Sequence, residues 1–125
     1  MNTKAHNLVT ASRVRGAIVY NASGDGVGHI HDLSIDKATG QVLYALVSFG
    51  GLLGIGDRFH PIPWTLMHYD VAMDGYIVPL DRHELESAPS YSHEELVAFG
   101  ANAGGLITRM FEHYAPKKAL RAHGR

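Results

Sequence analysis

The stretch Val42–Phe49, VLYALVSF, is apolar on both of the faces that a strand would present. Its valines, tyrosine and phenylalanine suit an extended backbone. Such a strand must be covered on both sides. In a chain of 125 residues, which is one domain by size, few elements can do this. Curling the sheet into a barrel covers one face. A helix of the same chain, or a second subunit, must cover the other.

The segments around it fit that demand. Val14–Tyr20, VRGAIVY, reads as a strand, and NASGDG after it as a turn. Val27–Asp36 alternates, with Val27, His29, His31, Leu33 and Ile35 on one face. KATG turns the chain into Val42–Phe49. Arg58–Pro63 is a further strand, and Pro61 and Pro63 place it at a sheet edge or a strand end. Val71–Met73 and Tyr76–Val78 flank Asp74-Gly75, a pair suited to a two-residue type I′ turn. About six short strands with close turns predict a mainly β fold: a small antiparallel barrel.

Beyond Pro89 the period changes. Ser92 and Glu95 have the spacing of a capping box, so a helix is expected from Ser92. Gly104-Gly105 interrupts or ends it. Ile107, Met110, Phe111 and Tyr114 then recur as an apolar helical stripe, with Pro116 expected to stop it and a frayed tail to follow. The expected division is an N-terminal segment 1–10, a barrel domain 11–88, and a helical extension with a basic tail, 89–125.

The glycines of FGGLLGIGDRFHPIPW, residues 49–64, invite a phosphate-loop reading. No Lys-Ser/Thr follows Gly56, and no helix follows the glycine run at Gly24–Gly28. Both runs read as turns. In the first, Leu52, Leu53 and Ile55 sit at or beside a hairpin between two strands, flanked by Phe49 and Trp64. If they project, these five residues are a contact surface for a partner or a second copy.

The remaining chemistry is thin. The chain has no cysteine, which excludes disulfides and thiolate sites. His29 and His31, at i and i+2, could share a metal, but two ligands fall short of the usual three or four. Asp32 and Asp36 suit solvent or a turn cap better than paired acid–base work. No nucleophile elbow or other catalytic set can be assembled, so no enzymatic activity and no cofactor are expected. A net charge of −1 gives no global case for nucleic acid, although Lys117, Lys118, Arg121 and Arg125 make the last residues basic. No apolar run approaches the ~18 residues of a membrane span, and no signal-peptide core opens the chain, so the expected compartment is the cytoplasm.

Taken in order, RGAIVYNASGDGVGHIHDLSID, TGQVLYALVSFGG and LGIGDRFHPIPWTLM resemble the PRC-barrel domain, from Ala11 to about Leu80. The resemblance implies a barrel of about six strands that often pairs into dimers. It places the chain beside the cytoplasmic domain of the photosynthetic reaction-centre H subunit. It also places it beside the C-terminal domain of a ribosome maturation factor, which binds a small-subunit ribosomal protein. It brings no catalytic motif. The chain departs from the bare domain in its extension, Ser92–Tyr114, and in lacking the membrane helix that precedes the domain in the H subunit. That departure speaks against a photosynthetic role. The expected function is a non-enzymatic protein-interaction domain, homodimeric. The alternatives are a small-ligand or metal module using His29 and His31, or a ribosome- or RNA-associated protein using the basic tail.

Overall fold

A computed structural model describes residues 8–49, 58–99 and 104–123, with side chains to residue 115. After a helical turn α1 (Ala11–Val14) come strands β1 (Ile18–Tyr20), β2 (Gly26–Ile35), β3 (Val42–Ser48), β4 (Phe59–Pro63), β5 (His68–Asp70) and β6 (Gly75–Ile77). Helices α2 (Arg82–Glu86), α3 (His93–Phe99) and α4 (Gly104–His123) follow. The six strands form one sheet in the order β4-β3-β2-β1-β6-β5. All pairs are antiparallel except β1 with β6. Six strands and the C-terminal helices are present as expected, but the fifth strand is His68–Asp70, and Val71–Met73, expected as strand, is turn; the parallel pair is not something the turn pattern announces.

Local chemistry explains most boundaries. Asn21, almost fully buried, accepts hydrogen bonds through Oδ1 from the amides of Ser23 (3.0 Å) and Asp25 (2.9 Å). Together with Gly24 at φ 86° this folds NASGDG into the β1–β2 turn. Asp36 caps the next turn in the same way, accepting from the amides of Ala38 and Thr39. Trp64 opens a 3₁₀ turn, Trp64–Leu66, directly after Pro63. The capping box at Ser92 and Glu95 forms in both directions, 3.1 and 2.9 Å. A second box, Asp81 with Glu84, starts α2 and has the same three-residue spacing.

Four expectations need correction. Val14–Arg15 is not strand: the chain enters β1 through α1 and Gly16 at φ 91°. The β5–β6 turn is longer than two residues. Val71–Asp74 form it, Asp74 takes φ 49°, and Gly75 is already strand. Gly75 is needed for close approach instead: a Cβ there would lie 2.6 Å from the Ile18 carbonyl oxygen. The face assignment in β2 fails at His31, an extra residue between the Ile30–Val47 and Asp32–Leu46 pairs. This bulge resets the alternation. Asp32 joins the face of His29, while Leu33 joins that of fully buried Ile30. Finally, α4 runs through Pro116 to His123. A proline there frees only the carbonyl of Glu112, an exposed residue, and water can satisfy it.

The core explains why VLYALVSF is apolar on both faces. Every residue of β4 is buried, and so are Tyr44, Ala45, Val47 and Ser48 of β3. Leu106, Met110 and Tyr114, at most 1% exposed, follow i, i+4, i+8 spacing on α4 and join the same cluster as Val19, Ile30, Val47 and Ile62. The helical extension therefore supplies cover that the small sheet cannot give itself.

Gly28 marks the tightest point of the sheet. A Cβ there would collide with the Ser48 carbonyl oxygen and crowd the Phe49 ring at 2.9 Å. The oxygen belongs to backbone paired on both sides, so it cannot step aside. Gly28→Ala is expected to cost about 2–4 kcal/mol, read from the urea midpoint at unchanged m-value.

Candidate functional site: a groove between the end of the sheet and the last helix

The site arises from unequal strand lengths. β4 ends at Pro63, opposite Tyr44. Residues 41–43 therefore extend past the last β4 pair, and the chain leaves through the Trp64–Leu66 turn, held by the Met67 amide on the Trp64 carbonyl at 3.0 Å. Phe111 of α4 reaches the same place, one position beyond buried Met110. The result is an open groove of about 430 Å³ lined by Gln41, Val42, Leu43, Pro63, Trp64, Thr65 and Phe111.

Among the described residues the lining carries no charge. Leu43 and Phe111, 39% and 42% exposed, are large apolar side chains with much of their surface in water. Trp64 is half-buried, its ring tilted against Tyr76 at 5.4 Å, which fixes the indole from behind. Gln41 and Thr65 are exposed and, among the described residues of the lining, supply the side-chain hydrogen-bonding groups besides the indole N–H. An apolar wall with a few polar groups at its rim can take an apolar side chain and fix the backbone that carries it.

The sequence-derived contact residues do not form one surface. Trp64 lines the groove. Phe49 lies at the opposite end of the β3–β4 ladder, half-buried, its ring 4.5 Å from that of His60. Leu52, Leu53 and Ile55 lie outside the described residues. Of the histidines considered as ligands, His29 is exposed, opposite Ile18 and Ser48. His31, at the bulge, is stacked on Phe59 with ring centroids 4.2 Å apart. Among the described residues no group of three or more His, Asp or Glu could hold a metal ion. Asp32 faces Arg15 at 3.7 Å, an exposed pair.

A second cluster lies where the C-terminal segments meet β4. Phe59 makes an isolated bridge with Tyr91, 2.8 and 2.9 Å. Arg58 donates to the Ser90 hydroxyl (2.8 Å), the Ser90 carbonyl (2.9 Å) and the Glu95 carboxylate (3.3 Å). Beside them His60 is buried with Nδ1 lacking a hydrogen-bond partner. Burial is the main cause that lowers its pKa to about 4, helped by the positive charge of Arg58 and, less, by His113; the carbonyls of Ala88 and Pro89 pull weakly the other way. The Tyr114 hydroxyl, also buried and unpartnered, is pushed well above the usual tyrosine value by burial first and Glu84 second. Both rings are held neutral, and the charges of the seam, Arg58 and Glu95, are paired with each other at its exposed rim, so it reads as structural cover.

Sequence reasoning missed the groove. Its parts, Gln41–Leu43, Pro63–Thr65 and Phe111, are three separate segments. The one available signal is Phe111, which widens the helical stripe beyond the width that burial needs.

Comparison with curated proteins gives no match. Comparison with family profiles matches the PRC-barrel domain over residues 6–85, more than half of the chain and the whole of the six-stranded sheet. The sheet, its order of turns and that match agree: the chain belongs to the PRC-barrel family.

Proposed function

We propose that this chain is a non-enzymatic protein-interaction domain, acting as a homodimer, whose groove takes an apolar side chain of a partner protein. The observation that carries the reading is the uncharged groove with Leu43, Trp64 and Phe111 around it. Exposed large hydrophobics gathered at one concave place mark contact sites more often than scattered ones do. The groove is open and not enclosed, which suits a side chain on a polypeptide better than a small ligand that must be mostly enclosed. The described lining, uncharged and mostly apolar, suits a neutral, apolar anchor, with Gln41 and Thr65 at hand for the partner backbone. The match to a family without a catalytic motif is in keeping with this reading.

The test is selection of displayed peptides on the purified protein. The selected peptides should share an aromatic or large aliphatic anchor and no charge requirement. Leu43→Asp and Phe111→Asp should each weaken a selected peptide by about tenfold or more, as loss of a central apolar contact does. Both positions are partly exposed, so the variants remain folded. Peptides that bind both variants as tightly as the parent would overturn the groove reading.

A further inference from the structure

The two edges of the sheet are built differently. β4 is guarded: Pro61 and Pro63 remove backbone donors, and the Tyr91 bridge occupies its free side at Phe59. Among the described residues β5 pairs only with β6. It contains no proline, and no backbone hydrogen bond beyond that pairing is formed by His68, Tyr69 or Asp70 among the described residues. His68 is exposed, Tyr69 is 53% exposed, and Val71 after it is 81% exposed. An unguarded edge beside exposed apolar side chains is a template for strand addition.

The sequence of that edge is complementary to itself. In an antiparallel pairing of two copies centred on Tyr69, Tyr69 meets Tyr69 of the second copy. His68 of each then lies opposite Asp70 of the other, and Met67 opposite Val71. Side chains alternate, so the His68–Asp70 pairs share one face and Tyr69 the other, with exposed Val71 of the adjoining turn beside it, while the Met67 side chain stays buried in the core of its own copy. Asp70 spends one carboxylate oxygen on the Met73 amide at 2.9 Å and keeps the second for a partner. Tyr69 is held ready, its hydroxyl donating to Asp74 at 2.7 Å and its ring 5.4 Å from Tyr76. A two-fold axis through Tyr69 satisfies both copies at once, the requirement of an isologous dimer.

We propose that the β5 edge is the homodimer seam, joining two sheets across a two-fold axis at Tyr69 with His68 opposite Asp70. This rests on the reading of the chain as a self-associating interaction domain. The groove stays free in such a dimer for another protein.

The experiment is sedimentation equilibrium on the wild type, His68→Glu, His68→Lys and Phe111→Asp. His68 is exposed, so neither of its replacements disturbs the fold, and thermal melts at low concentration check this. His68→Glu sets two like charges against the two Asp70 side chains and should weaken the dimer by about tenfold or more. His68→Lys sets a positive charge opposite Asp70 and should dimerise at least as well as the wild type. Phe111→Asp should leave the dimer unchanged. A wild type monomeric up to roughly 1 mM overturns the seam and the homodimer with it. A dimer equally strong in the Glu and Lys variants overturns the seam alone. A dimer lost in Phe111→Asp but intact in His68→Glu would move self-association to the groove and likewise end the β5 assignment.

Discussion

Met110→Ala is expected to lower the unfolding free energy by about 2–5 kcal/mol, and Met110→Asp to leave no stably folded protein. Met110 has no exposed surface and sits between Leu106 and Tyr114 on the buried stripe of α4. A domain of this size is stable by only about 5–15 kcal/mol, so an unpaired carboxylate at the centre of the core removes much or all of it. The measurement is chemical denaturation followed by far-UV circular dichroism. The outcome distinguishes two pictures of the C-terminal segment. If α4 is part of the core, the strand signal is lost with the helix signal in one transition. If α4 is a detachable appendage, Met110→Asp lowers helix content and leaves the sheet's transition where it was.

Acid should destabilise the fold through His60, by about 2–3 kcal/mol between pH 6.5 and pH 4. The sign follows from the direction of the shift. Burial holds the folded-state pKa near 4, below the ordinary histidine value of 6.5. Between those values the unfolded chain binds a proton that the folded one refuses. Stability is therefore complete above about pH 6.5, declines as pH falls, and loses nothing more to this group below about pH 4. The chain has eight other histidines, so the comparison must be with His60→Gln. The variant should show a distinctly shallower loss across this window. Parallel pH profiles for the two proteins would mean that His60 gains its proton without leaving its site.

Much of this architecture is legible in the chain because its signals are local. Asn21 and Asp36 announce their turns through side chains that bond the backbone two to four residues on. Pro61 and Pro63 mark β4 as an edge, where the sheet places it. Ser92 and Glu95 start α3, and the Asp81–Glu84 box, written in the same spacing, starts α2. VLYALVSF and the α4 stripe share one core cluster, so the helix helps to supply the second cover that the strand demands.

What stays hidden depends on register. A bulge at His31 adds one residue to one strand and changes no composition, yet it reverses which face Asp32 and Leu33 occupy. Gly75 reads as a turn glycine, whereas its role comes from Ile18, distant in sequence and adjacent in the parallel β1–β6 pair. The groove is the clearest case. It exists because β3 outruns β4 and because Phe111 arrives from another part of the chain. Trp64 could be singled out beforehand as a contact residue, but its neighbours could not.

The most direct test of the groove as a docking site is amide chemical-shift mapping of the protein with a selected peptide. The perturbed amides should be those of residues 41–43, Trp64, Thr65 and the α4 turn around Phe111, with the β1–β2 face unmoved. Shifts concentrated around His29 and Asp32, or at Phe49 and the far end of the β3–β4 ladder, with residues 41–43 and Phe111 silent, would contradict it.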